Sequence, residues 1–430
     1  MRRIYSYLLT GLIGFGGANI AMAQTTADAT FVEETNKTIT SMANVRDYVA
    51  GYKTANIEDV RTKLAAYESD PTDTNKDAVT ASIAAAENDK VQFNSGRLYR
   101  LILAAEYPLV RLLEGKPRVA YYKDETTLTP ASTTPYWGQL DSTSVYHMWR
   151  LTGELTSFTI CNPNYGLYYR TFNTHSTTAS EASAMTAAEI SGNTAMFSIG
   201  YTYGGTARGI NAAGFNQNYG DTPGKLWHQV PGNGGNRWYF KEVTHIYKTI
   251  TAARYATAYY PFAITLPEGM KAYVGSSENS ESIALTEVTG VIPANTALIL
   301  EADADLYAIP LSYDDATADV AGNLLSGVLV PTSIPANNYA FNQVDGVVGF
   351  YKTTAATTLA ENKAYLPASA TTTGSFIGFN FNGLTGISNA AVDADNTEST
   401  VYYDLQGRRV AQPKSGNVYV TAGGQKVYIK

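Results

Sequence analysis

The spacing of hydrophobic positions changes near Gly96, and the change divides the chain into a helical and a strand-rich part. In the first part apolar residues recur every three or four positions, the repeat of one helix face. Thr30 and Glu33 form a capping box ahead of Ile39, Met42, Val45 and Val49. A second stripe, Ile57, Val60, Leu64 and Tyr67, follows Asn56 as the expected N-cap and stops before Pro71. A third, Ala-rich helix over residues 75–90 carries Val79 and Ile83, with Val91 just beyond it. Three short amphipathic helices can bury such stripes against one another, so 28–92 is expected to form a small bundle.

Beyond Gly96 the apolar runs shorten and alternate with polar residues, and Gly, Pro and Asn fall between them, which is the signature of strands and turns. Within 97–245 three runs align on a core aromatic followed two positions later by an apolar residue: His147-Met-Trp-Arg-Leu151, Ala195-Met-Phe-Ser-Ile199 and Asn236-Arg-Trp-Tyr-Phe240. They recur at intervals of about forty to fifty residues, as three repeats of a β-trefoil require. The segment resembles the ricin-B-type trefoil family, whose repeat carries Gln-x-Trp; His147, Ala195 and Asn236 stand where that Gln would be. An unrelated β-sandwich with scattered aromatics is the other reading of the same runs.

Residues 247–385 continue with strand signals about every ten residues, which argues a β-sandwich. The series Tyr260-Pro-Phe, Leu266-Pro, Ala272-Tyr and Ile292-Pro-Ala-Asn resembles a module of Bacteroidetes surface proteins. Residues 386–400 are small and acidic without periodicity, and read as a linker. The end, Val401-Tyr-Tyr-Asp-Leu-Gln-Gly-Arg-Arg-Val410 and then Gly416 to Lys430, breaks into short strands. It resembles the C-terminal sorting domain of proteins exported by the type IX route, which implies secretion machinery as a partner of this tail. The fold class expected is mainly β with an N-terminal α segment: helical bundle, β-trefoil-like domain, β-sandwich and a small β tail domain over 401–430.

Residues 1–23 read as a signal peptide: Arg2 and Arg3, an apolar run, and Ala21-Met-Ala23 as the cleavage site. The run is interrupted and short for a membrane span, so no span is expected after its removal. The 38 acidic residues exceed the 31 basic ones, and losing Arg2 and Arg3 widens the gap. Without a Lys/Arg cluster, a nucleic-acid partner is not expected. Charged residues are only 16% while tyrosines number 32, a profile suited to an extracellular or outer-surface β protein. The lone Cys161 excludes an intrachain disulfide and reads as a core residue.

No nucleophile elbow, zinc-protease helix or phosphate loop is present, so no catalytic residue, metal or cofactor is assigned. Asp70, Asp73, Asn75 and Asp77 lack the central Gly and closing Glu of a calcium loop and read as cap and turn residues. The one stretch that joins amides, a carboxylate and aromatics is Asn216 to His228. Sugars present C–H faces that stack on rings and hydroxyls that bond to amides and carboxylates. Asn218, Tyr219, Asp221 and Trp227 are therefore the ligand-binding candidates, with Asp221 and Trp227 matching the Asp and aromatic that the trefoil resemblance implies. Trp137, in the Pro135-Tyr-Trp-Gly138 loop, is a further candidate. The function expected is glycan or other surface-ligand binding without catalysis; a structural adhesin and a secreted hydrolase are the rivals.

Overall fold

The computed structural model describes residues 26–103, 118–122, 135–139, 145–170, 175–190, 195–212, 224–229, 236–381 and 387–388, together with five short pieces between 402 and 429. Chain contacts divide it into two compact units, one holding residues 51–91 with the chain up to Asp47, the other holding 48–50 and everything after 91.

The first unit is three helices: α1 (Ala29–Asn44), α2 (Thr54–Ser69) and α3 (Asp73–Asn88). Ile39, Met42, Ile57, Val60, Leu64, Tyr67 and Val79 are buried along the faces that the sequence marks. The caps differ from the sequence reading. Asp28, not Thr30, caps α1 by accepting from the backbone of Thr30 and Phe31. The backbone N–H of Thr54, where α2 begins, is met by the Asp47 carboxylate, two residues before the expected Asn56. Thr72 caps α3. Val49 lies outside α1; in the second unit its N–H donates to the Phe240 carbonyl at 2.9 Å.

Twelve strands follow: β1 (Leu98–Leu103), β2 (Arg118–Tyr122), β3 (Pro135–Gln139), β4 (Trp149–Glu154), β5 (Ser157–Asn162), β6 (Leu167–Tyr169), β7 (His175–Ser176), β8 (Thr186–Glu189), β9 (Phe197–Tyr203), β10 (Thr206–Ala212), β11 (Gly224–Gln229) and β12 (Trp238–Glu242). Strand β1 pairs with β4, β4 with β5, β8 with β9, β9 with β12 and β12 with β1. The gap between β5 and β8 is bridged by reciprocal hydrogen bonds between Phe158 and Met185. A ring of six strands results. The other six form three hairpins, β2–β3, β6–β7 and β10–β11. A closed six-stranded barrel with three hairpins is a β-trefoil, so the pairing decides against the sandwich reading of 97–245.

The registers show which residues are equivalent. Across the pairs β12–β1, β4–β5 and β8–β9, Leu101 faces Phe240, Ile160 faces Leu151 and Ile199 faces Ala187. One step along, Tyr99, Phe158 and Phe197 are counterparts on the entering strands, and on the partner strands Trp149 and Trp238 are counterparts of Met185. Trp149, Phe197 and Trp238 are all buried in one core, as their repeat suggests. Phe197, however, belongs to the other layer. The motif aligns two phases of the repeat because both place an aromatic at a barrel position.

Nine strands then build one continuous sheet. In ladder order they are β14 (Tyr255–Ala258), β17 (Leu298–Glu301), β15 (Lys271–Glu278), β16 (Ser282–Val288), β25 (Phe376–Phe381), β22 (Val347–Lys352), β21 (Tyr339–Val344), β24 (Lys363–Leu366) and β19 (Ser326–Val328). Only the β16–β25 junction is parallel. The sheet folds back there, so Tyr273, Ile283 and Ile299 from one half share a core with Tyr339, Phe350 and Leu366 from the other. Two further pairs, β13 (His245–Ile250) with β18 (Asp305–Pro310) and β20 (Thr332–Ile334) with β23 (Thr357–Leu359), complete the sandwich.

Trefoil and sandwich share a second core, where Leu98, Tyr146, Met148 and Val243 meet Ile246, Phe262, Val274 and Leu300. Polar contacts pin the same junction. Asn164 donates to the Leu329 carbonyl at 2.9 Å and to the Asn362 side chain at 3.0 Å, and Arg150 donates to the Pro261 carbonyl. At the C-terminal end, β26 (Ile387–Ser388), β27 (Tyr402–Tyr403), β28 (Arg409–Val410), β29 (Asn417–Thr421) and β30 (Lys426–Ile429) form a small sheet. Ile387 and Ser388, read from sequence as linker, pair in parallel with β30.

Candidate functional site

The third trefoil repeat is built around Asn236, which is fully buried. Its side-chain oxygen accepts from the Ile199 N–H at 3.0 Å and from the Trp238 indole at 3.2 Å. Its amide donates to the Ser198 hydroxyl and the Ile199 carbonyl. The same indole N–H also reaches the Ile210 carbonyl at 2.9 Å. One short amide therefore ties β9 to β12 and, through Trp238, to β10. An unpaired buried amide is costly, so this satisfied node fixes the base of the β10–β11 hairpin.

That hairpin carries the candidate site. Tyr203 and Thr206 close the turn before it over Gly204 and Gly205, whose φ angles of +56° and +74° suit a two-residue hairpin turn that disfavours other residues. Asn211 on β10 stands directly opposite Trp227 on β11. Asn211 is 5% exposed, and its amide nitrogen has no hydrogen-bond partner. A buried donor without a partner is the kind of group that a ligand oxygen could satisfy. Sequence reasoning passed over Asn211 because it sits inside a strand run rather than a loop.

The sequence candidates divide as follows. Asp221, Asn218 and Tyr219 lie outside the described residues. Trp227 and Trp137 were expected in loops, but their backbones are in strands β11 and β3. The glycine and proline beside them mark strand ends rather than a loop. The two strands are neighbours, with Trp137 opposite Gly224. Trp227 lies three residues further along, so strand alternation puts the two tryptophan positions on opposite faces of the ladder.

The second repeat is engaged elsewhere. Asn162 donates to the Tyr146 carbonyl and accepts from the N–H groups of Asn164 and Tyr165, shaping the turn that docks on the sandwich. Cys161 beside it is buried and free. Burial pushes its thiol up to about 11, against the pull of Arg150, so it stays protonated at neutral pH and is no nucleophile. Among the described residues no group of three His, Cys, Asp or Glu could hold a metal, and no helix is long and apolar enough to cross a membrane.

No protein-family model matches the chain, and no curated protein does. Among solved structures it is similar to a Polyporus squamosus lectin bound to the human-type influenza-binding epitope Neu5Aca2-6Galb1-4GlcNAc. The likeness has 14% identity and a TM-score of 0.24, over 37% of this chain and 52% of that one, so the chain spans about half the length of that lectin. The trefoil assignment rests on the strand pairing and does not draw on this likeness.

Proposed function

We propose that the protein is an exported, non-catalytic surface protein that binds glycans through the third trefoil hairpin. The observation that carries this reading is the placement of Asn211, a buried amide with an unpartnered N–H, opposite Trp227 in the β10–β11 ladder. An amide donor in register with an aromatic residue provides the two contacts a pyranose ring uses, a hydrogen bond to a hydroxyl and stacking on a C–H face. Asp221, Asn218 and Tyr219 lie in the same hairpin's sequence and would add acceptors and a further ring. Trefoil architecture by itself does not assign a ligand.

The localisation is extracellular or on the outer cell surface, supported by the leader-like N-terminus and the sorting-type C-terminal motifs, which would engage secretion machinery. The test of binding is a glycan array on the mature chain, followed by titration of the best glycan into wild type, Asp221→Ala, Trp227→Ala and Asn211→Ala. The hairpin reading expects each variant to weaken binding by about 1–3 kcal/mol without unfolding. An empty array, or unchanged affinity in all three variants, leaves the structural adhesin as the better account.

A further inference from the structure

The sandwich has its own unassigned constellation, at the end of the core face where β14, β17 and β15 run side by side. Glu301 on β17 lies directly between Tyr255 on β14 and Lys271 on β15. The Tyr273 hydroxyl donates to Glu301 at 2.7 Å, and burial together with the same carboxylate holds the Tyr255 hydroxyl above the usual tyrosine range. One step across, Glu287 faces Tyr273 and forms an ion pair with Lys271 at 3.5 Å. Phe381 enters from β25 and sits against both tyrosines, edge-on to Tyr273 with centroids 5.0 Å apart and near-parallel to Tyr255 at 6.2 Å.

Burial separates these residues into two roles. Tyr273 is buried and holds the Glu301 carboxylate in place from below. Tyr255, Phe381 and Glu301 are only half-buried, and the side chains of Lys271 and Glu287 are 52% and 44% exposed. A core that needed only closing would end on aliphatic residues. Here it ends on two accessible rings beside an oriented carboxylate and a Lys–Glu pair. Rings, fixed acceptors and a donor at one sheet end meet the needs of a sugar, which stacks through its C–H face while its hydroxyls both donate and accept.

We propose that this sandwich end, formed by Tyr255, Phe381, Glu301, Lys271 and Glu287 over Tyr273, is a second carbohydrate site that takes a pyranose unit of a neutral oligosaccharide. The pair of carboxylates flanking Lys271 disfavours an anionic sugar. The inference stands apart from the trefoil reading, because it uses no residue of residues 97–245.

The test is titration of the full mature chain with cellohexaose, mannohexaose, xylohexaose, maltohexaose and hexa-N-acetylchitohexaose, with binding also read by saturation-transfer NMR. Glu301→Gln keeps an oxygen for the Tyr273 hydroxyl and so preserves the fold; it should weaken binding about tenfold, the loss of a charged acceptor. Tyr255→Ala should do the same, while Tyr255→Phe, which keeps the ring, should stay within about threefold of wild type. Trp227→Ala separates the two sites: binding that survives Trp227→Ala and falls in Glu301→Gln belongs to the sandwich. Binding lost in Trp227→Ala and unchanged in both Glu301→Gln and Tyr255→Ala would overturn the proposal and leave the trefoil reading intact. No binding of any of the five sugars would also overturn it.

Discussion

Replacing Trp238 by alanine tests the trefoil core at the point where packing and hydrogen bonding meet. Trp238 is fully buried among the barrel residues, and its indole N–H is shared between the Ile210 carbonyl and Asn236. Truncating a buried tryptophan costs about 3–5 kcal/mol from lost burial and the cavity left behind. For a domain of this size each kcal/mol lowers the midpoint by about 2–4 °C, so a fall of roughly 6–20 °C is expected. Trp238→Phe separates the two contributions. It keeps most of the volume but leaves the Ile210 carbonyl without the indole donor, an unsatisfied acceptor worth about 1–3 kcal/mol. Because the chain has two compact units, the measurement must resolve them. Hydrogen exchange of β9, β10 and β12 reports the trefoil, while the signal of residues 51–91 serves as the internal control. A loss below about 1 kcal/mol for Trp238→Ala, on the scale of an ordinary surface substitution, would mean that the indole does not hold the barrel together.

Three further outcomes follow. Lys248 donates to the Thr257 carbonyl at 2.7 Å, and its enclosed ammonium is pulled down to about 7 by burial first and then by Lys363, against the opposing Glu361. The residue as a whole is half-buried, so it is the charged end that is shut in. An unfolded lysine titrates near 10.4, so between about pH 7 and 10 the unfolded chain binds more protons and stability rises with pH; thermal midpoints measured from pH 6.5 to 9.5 should climb less in Lys248→Met than in wild type, and equal slopes would refute the assignment. Gly153 has a φ of +120°, and a Cβ there would lie 2.3 Å from the Ser157 carbonyl, so Gly153→Ala should cost about 1–3 kcal/mol in urea denaturation, against no loss if the β4–β5 hairpin can relax. Deleting residues 401–430 removes four of the five strands of the tail sheet and should leave the protein in the periplasm by cell fractionation; normal surface delivery would remove the export reading.

Much of the fold could be read from the sequence because its signals are local. Helix stripes such as Ile57, Val60, Leu64 and Tyr67 are fixed by a period of 3.6 residues, and all four are buried. The caps were harder, because Asp28, Asp47 and Thr72 compete with other polar residues close by and only the backbone path shows which carboxylate or hydroxyl reaches an N–H. The strand runs Gly346–Tyr351 and Phe376–Phe381 fall on β22 and β25, yet no pattern predicts that β16 and β25 pair in parallel. Register is likewise a long-range property. The Trp149, Phe197 and Trp238 repeat identified core positions but mixed two layers of the barrel, and the hairpin position of Asn211 becomes meaningful only once β11 lies beside it. Glu301, Tyr255 and Phe381 come from three separate stretches of the chain, so no motif links them.

The three trefoil repeats have diverged in a way that bears on where ligands can bind. Trp149 and Trp238 occupy equivalent places, preceded by His147 and Asn236, whereas the second repeat has Met185 there. That same repeat supplies the turn around Asn162 and Asn164, which is spent on the sandwich through Asn362 and the Leu329 carbonyl. Its neighbours Tyr146 and Met148 enter the shared apolar core. In that repeat the Asn164 amide nitrogen is taken up by the junction, while its side-chain oxygen is buried without a partner. Asn236 is fully used, but all its bonds lie within the barrel. The threefold repetition thus supplies one unit for anchoring, and the Asn164 contacts fix the trefoil to the sandwich instead of leaving it to swing on a linker.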